Sequence, residues 1–274
     1  MKCVVDSNYL QTEELRQFLK RSQANEAVFT DYAFMEATKG DTLATVYKSL
    51  EVLSEHPEQV IVLKTTMDVC GLHGGSRGLQ RRLVDVPRTR EFGVFCRAMK
   101  NARQGEPSMQ GELLRLGREA TSHLESIRSY AIEFARTGAE VAKNFSRDEQ
   151  CLLRAGRPIP RDLLGNFFYA CVIQSKVLFQ HHPAVRRMPN QAELLNTYIF
   201  RSSLCHLLLV LKWAYDGGTS SNPNKVLNDM VDTHFAAYST YFDDLLSKDA
   251  TPKLVAVQAR TILNQLSDSG VRRR

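Results

Sequence analysis

The stretch Met1–Leu10, MKCVVDSNYL, decides how this chain is read. Cys3-Val4-Val5 is a short apolar run without polar alternation, the mark of a strand buried on both faces in a parallel sheet. It stops on Asp6, and Ser7 and Asn8 follow. In open α/β sheets, ligands gather at the carboxyl ends of strands. Asp6 is therefore either a cap for the helical stretch Leu10–Leu19 or a member of a site. The arrival of other acids at the same edge would separate the two readings.

Outward from that strand the pattern alternates. QTEELRQFLKRSQ (11–23) offers Thr12 as a helix cap and sets Leu15, Phe18 and Leu19 on one face. EAVFTD (26–31) reads as a second apolar strand, and YAFMEATKGD (32–41) as a short helix broken at Gly40. TLATVYKSLEVLSEHP (42–57) carries Leu43, Val46, Tyr47, Leu50 and Leu53 at helical spacing, and QVIVLKTT (59–66) is a third strand. The order β-α-β-α-α-β implies a mostly parallel sheet with right-handed crossovers.

From Gly71 the pattern changes. CGLHGGSRG (70–78) reads as a flexible junction, and the next 150 or so residues read as helical, with no convincing strand. Helices are expected over Arg90–Arg103, Gln110–Lys143, Asp162–Phe179 and Leu194–Tyr215. DGGTSSNPNK (216–225) is a second junction. Beyond it a helix from Val226 to about Tyr238, a strand within DDLLSKD (243–249) and a last helix from about Pro252 to Leu266 restore the α/β pattern. The expected organisation is an α/β domain built from 1–72 and 226–274, interrupted by an all-α insertion, 73–225; a separate second domain entered and left once would give much the same pattern.

Composition supports a globular chain with a sizeable core: 274 residues, 43% hydrophobic and 24% charged. The net charge of +6 is unevenly spread. Residues 75–225 hold 23 Lys and Arg against 13 Asp and Glu, whereas the flanks hold 13 against 17. A basic block between acidic flanks suits a polyanion held near clustered carboxylates. Six cysteines without a C-x-x-C pair read as reduced thiols in a cytoplasmic protein, not as a zinc ribbon. No signal peptide and no membrane partner are expected: the oily stretches are interrupted by Asn166, Gln174 and Lys176, and by Arg201, His206 and Lys212.

Four acidic positions fall at strand ends or helix starts. Asp6 follows the first strand, Glu36 lies in the helix after the second, and Asp249 closes LLSKD. Asp229 and Asp232, three apart in LNDMVDTHF, share a helix face and compete for the remaining place. Carboxylates gathered without bases repel, and Mg²⁺ or Mn²⁺, which prefer oxygen ligands, are the usual compensation. Such ions lower the pKa of a bound water and stabilise in-line displacement at phosphorus.

The succession VVDSNYL, FTDYAFMEATKG and LNDMVDTHFAAYSTYFDDLLSKD resembles the PIN-domain family of metal-dependent ribonucleases, across both flanks and leaving out the middle. The resemblance implies a PIN-like, mostly parallel sheet flanked by helices. It implies catalytic roles for Asp6, Glu36, Asp229 and Asp249 and metal ligation by these with Asp232. It also implies Asn8 orienting the carboxylates and Ser247 where the family often has Thr or Ser. The chain departs from compact members of the family in the length of its insertion.

The expected function is divalent-metal-dependent phosphodiester hydrolysis, of RNA ahead of DNA, by a metal-activated water that, as the resemblance implies, leaves a 5′-phosphate and a 3′-hydroxyl. Arg77, Arg81, Arg82, Arg88 and Arg90 would contact the phosphate backbone, giving salt-dependent affinity with little sequence choice. Such activity would suit a toxin, a defence effector or a processing enzyme. The alternative is a non-catalytic scaffold whose helical insertion docks a nucleic acid, a protein or a second copy. Arg118-x4-His123 and Arg201-x4-His206 fit the spacing of HEPN ribonucleases, but matches of this number are expected by chance. GLHGG lacks the Lys-Ser/Thr of a phosphate-binding P-loop.

Overall fold

The four apolar runs expected as strands pair into one sheet in a computed structural model that describes residues 1–218 and 222–268. The strands are β1 (Lys2–Val5), β2 (Glu26–Phe29), β3 (Val60–Val62) and β4 (Asp244–Leu246). The helices are α1 (Glu13–Arg21), α2 (Asp31–Thr38), α3 (Thr42–Ser49), α4 (Glu51–Glu55), α5 (Thr66–Cys70), α6 (Leu79–Leu83), α7 (Val86–Arg103) and α8 (Pro107–Ala142). They continue as α9 (Arg147–Arg154), α10 (Arg161–His181), α11 (Gln191–Leu194), α12 (Tyr198–Tyr215), α13 (Pro223–Ser239) and α14 (Ala250–Asp268). The chain is α/β: a small parallel sheet with helices flanking it. Part of the expected junction at 216–225 lies outside the described residues.

Contacts divide the chain into two compact units, one of residues 1–65, 83–129 and 242–248, the other of 66–82, 130–241 and 249 onward. The expected boundaries at 72/73 and 225/226 differ from this division. Residues 83–129 of the expected insertion belong with the sheet, and 226–241 of the expected flank belong with the helices. Charge balance follows solvent-facing residues, whereas packing follows apolar faces. α7 shows the difference: basic in composition, it buries Phe92, Cys96 and Met99.

In the first unit the strand order is β3-β2-β1-β4, every pair parallel. Val4 and Val5 of β1 are fully buried, as two-sided cover of a parallel sheet requires. α1 starts on Thr12, whose hydroxyl accepts from Leu15 N, and buries Leu15 and Leu19 one turn apart. Its acids lie in the first turn and its bases in the last, both favourable to the helix dipole. The single helix expected over 42–57 breaks at Leu50, giving α3 and α4. The first unit also holds one isolated antiparallel bridge, Leu63 to Val84, at the start of the region expected to lack strands.

In the second unit α9, α10, α13 and α14 pack round α12, which is buried on nearly every side. No helix among the described residues is long and apolar enough to cross a membrane. The polar residues that interrupt α12 have defined partners. Arg201 donates to the carbonyls of Leu195 (2.9 Å) and Thr240 (2.7 Å) and lies 3.9 Å over the Tyr241 ring. His206 stands edge-on to Phe134 and His234, with Ser202 Oγ 3.3 Å from Nδ1.

Burial pushes the His206 imidazole down to about 4. The unfolded ring takes its proton near 6.5, so between these values the unfolded chain binds more protons. The stability contributed by neutral His206 is complete above pH ~6.5 and is lost as pH falls towards 4, by about 2–3 kcal/mol. The urea midpoint of wild type, measured from pH 7.5 to 4.5, should therefore fall relative to that of His206→Leu as the pH drops. A constant difference across that range would show that the ring does not resist protonation.

The junction expected to be flexible is closely packed. A Cβ on Gly71 would lie 2.7 Å from the Ala184 carbonyl oxygen, and one on Gly74 would overlap the carbonyl of Glu193 in α11. Asn196 Nδ2 also donates to Gly74 O at 2.8 Å. These glycines serve close approach of backbones, not freedom.

Candidate functional site

The register of the sheet builds the site in the first unit. Val5 of β1 pairs with Leu246 of β4, so the next residues, Asp6 and Ser247, leave the sheet side by side. Asp6 N still donates to Leu246 O at 2.9 Å, holding the carboxylate residue to the strand end. The chain then turns through a 3₁₀ turn at Ser7–Tyr9. Asp6 is 1% exposed and its carboxylate makes no cap hydrogen bond to that turn, while α1 takes Thr12 as its cap. Of the two roles open to Asp6, capping finds no support in this geometry.

A buried carboxylate must find donors. Ser247 Oγ, fully buried, donates to Asp6 Oδ2 at 2.6 Å. Ser7 Oγ lies 3.3 Å from Asp6 Oδ1 and 3.0 Å from Glu36 Oε2. Glu36 is carried there by α2, which starts directly after β2 with Thr30 capping Ala33 N. One hydroxyl proton thus stands between two carboxylates. Lys39, one turn along α2, places its ammonium 2.7 Å from Glu36 Oε1. Asn8 Oδ1 accepts from Lys248 N at 3.0 Å, tying the segment after β1 to the segment after β4.

Sequence reasoning assigned Asp6, Glu36, Asn8 and Ser247 to a site, and these four meet in the first unit. It missed Ser7 and Lys39. Ser7 lies within Met1–Leu10, and its place between Asp6 and Asn8 is the available signal. Lys39 had none beyond its i+3 spacing from Glu36.

Asp229 and Asp232 lie on α13, and the exposed Asp249 directly precedes α14; all three belong to the second unit. Asp229 Oδ2 accepts from the Trp213 indole at 2.9 Å, so this carboxylate satisfies a buried aromatic donor on α12. Among the described residues no group of three or more His, Cys, Asp or Glu side chains is placed to hold a metal ion. The Asp6–Glu36 pair fits the lesser demand of Mg²⁺, which is usually bound through one or two carboxylates and keeps its waters or takes substrate phosphates. Two acids around one hydroxyl proton, with a lysine drawn to the second, form a donor set of the right chemistry.

The arginines expected to bind phosphate divide in role. Arg82 donates to the carbonyls of Gly75 and Arg77, clamping the glycine-rich loop, so it is a structural residue of the second unit. Arg88 pairs with Asp85 at 3.5 Å. Arg77, Arg81 and Arg90 are exposed. Of the HEPN-like pairs, Arg201 is committed to backbone carbonyls inside the second unit.

Comparison with protein-family models, with curated proteins and with solved structures finds no match to this chain.

Proposed function

We propose that the chain is a divalent-metal-dependent nuclease of PIN-like type, acting on RNA ahead of DNA, with Asp6 and Glu36 as its metal-binding carboxylates. The observation that carries this reading is the buried Asp6 carboxylate at the carboxyl end of β1, linked through Ser7 to Glu36 and fixed by Ser247. The preference for RNA rests on the sequence resemblance.

A Mg²⁺ or Mn²⁺ ion supplies, when bound, an activated water and charge neutralisation at phosphorus. The chain's own residues set the stage for it. Ser247 and Ser7 hold the Asp6 carboxylate in one orientation. Asn8 keeps the two strand-end segments together. Lys39 partly neutralises Glu36, the carboxylate that would hold a metal ion together with Asp6.

Labelled RNA and DNA panels incubated with Mn²⁺ or with EDTA test the proposal. RNA cleavage with Mn²⁺, silenced by EDTA, is the expected result. Cleavage persisting in EDTA, or none with Mg²⁺ or Mn²⁺, overturns it. One observation favours the second reading, a non-catalytic scaffold: Asp229, expected as a ligand, is engaged by Trp213. A scaffold would show no Mn²⁺ site removable by chelator in calorimetric titration.

A further inference from the structure

We infer that the solvent face of α7, through Arg90, Arg97 and Lys100, is the surface of the first unit that seats the sugar–phosphate backbone of a single-stranded nucleic acid. The choice of polyanion rests on the nuclease reading; the surface itself rests on charge and placement.

Between Val86 and Arg103, α7 carries Arg88, Arg90, Arg97, Lys100 and Arg103 against Glu91 as its one acid. Its inner face is fixed by aromatic contacts. Phe92 meets Phe29 of β2 edge-on at 6.2 Å, and Phe95 meets Phe34 of α2 at 6.1 Å. With that side committed, helical periodicity turns Arg90 and Arg97 outward together, and Lys100 lies beside them; all three are exposed. Arg90 and Arg97 are about 10 Å apart along the axis, at 1.5 Å per residue.

On α8 Arg115 pairs with Glu112 and Glu119 and Arg136 with Glu133, Lys143 just beyond the helix pairs with Glu140, and Arg118 and Arg128 are in none of the ion pairs found among the described residues. Among the described residues Arg90, Arg97 and Lys100 form no ion pair. In composition α8 balances four arginines with five glutamates, whereas α7 sets five bases against one acid.

The start of α7 is also placed for this role. Asp85 N donates to Val62 O, and Thr89 Oγ1 accepts from Val62 N at 3.0 Å, so the helix begins at the carboxyl end of β3. All strands run parallel, which makes this the sheet edge that carries Asp6. Arg90 therefore stands at the head of α7 on that edge, and Arg97 and Lys100 lead away from it. A phosphate backbone laid along α7 would pass from three cations towards the Asp6–Glu36 pair. Contacts of this kind go to phosphate and carry no sequence preference.

The test compares two charge-matched triple variants in EDTA, where binding is read without cleavage. One is Arg90→Gln, Arg97→Gln, Lys100→Gln; the other is Arg115→Gln, Arg136→Gln, Lys143→Gln. Glutamine is a good helix former at exposed positions. The α7 variant should bind labelled single-stranded RNA about tenfold or more weakly and lose about 2 from the slope of log K against log salt. The second variant, which removes only ion-paired bases, should keep the wild-type slope. Equal losses in both, or none in either, overturn the surface. So does a wild-type chain that ignores RNA but binds phosphatidylserine vesicles. If wild type cleaves RNA with Mn²⁺ while the α7 variant binds normally, the surface fails and the nuclease reading stands. If the α7 variant alone loses binding but wild type cleaves nothing, the reverse holds.

Discussion

Asp6→Asn is expected to lower Mn²⁺-dependent cleavage by about a thousandfold while leaving the fold intact. Metal-assisted charge stabilisation at phosphorus is worth several kcal/mol, and each 1.36 kcal/mol is tenfold in rate. Asparagine keeps the side-chain volume and one acceptor oxygen but removes the charge a hard cation needs. The Ser247 hydroxyl, 2.6 Å away, can rotate to accept from the new amide instead of donating to a carboxylate. The loss of stability should stay below about 1 kcal/mol. Asp6→Ala should behave differently, because it leaves the buried Ser247 hydroxyl without this acceptor, at about 1–3 kcal/mol.

Calorimetric Mn²⁺ titration, cleavage rate and urea midpoint separate these effects. A variant that folds, loses the Mn²⁺ site and stops cleaving supports the assignment. Wild-type cleavage by Asp6→Asn would remove Asp6 from the chemistry. The substitution is also blind to helix capping, since α1 is capped by Thr12.

Gly74→Ala should produce the largest loss of stability, about 3 kcal/mol, with a fall in Tm of about 6–12 °C. The new Cβ would overlap the Glu193 carbonyl, a backbone atom that cannot swing aside. α11 is itself held by a capping box between Asn190 and Glu193, and Asn196 donates to the Gly74 carbonyl. Gly165→Ala is the internal control: the site lies in α10 with nothing within 4 Å, so alanine should stabilise by about 0.5–1 kcal/mol. Equal Tm values for Gly74→Ala and wild type would mean that the loop does not abut α11.

The placing of Asp6 and Glu36 was legible because it depends on local chain properties, whereas that of Asp229, Asp232 and Asp249 was not. A β-branched run ending on an acid announces a strand end, and Thr12 three residues before Leu15 announces a helix start. The acid after β1 and the glutamate after β2 were readable from the elements they follow, and the serine after β4 only from the family resemblance. The bridging role of Ser7 was not. It depends on a hydroxyl reaching Glu36, whose distance is set by how α2 leaves β2.

Local pattern by itself determined the strands, the long helices and the delivery of Asp6 to a strand end, since backbone propensity and apolar periodicity act within a few residues. Only the tertiary structure decided which faces met. The pairing of Ser247 with Asp6 spans 241 residues and follows from the register of β1 against β4. The same holds for the indole that engages Asp229, the loop carbonyls that engage Arg82 and the aromatic contacts that bring α7 to the sheet. In each case composition reports what a side chain can do, and packing selects which partner lies within reach.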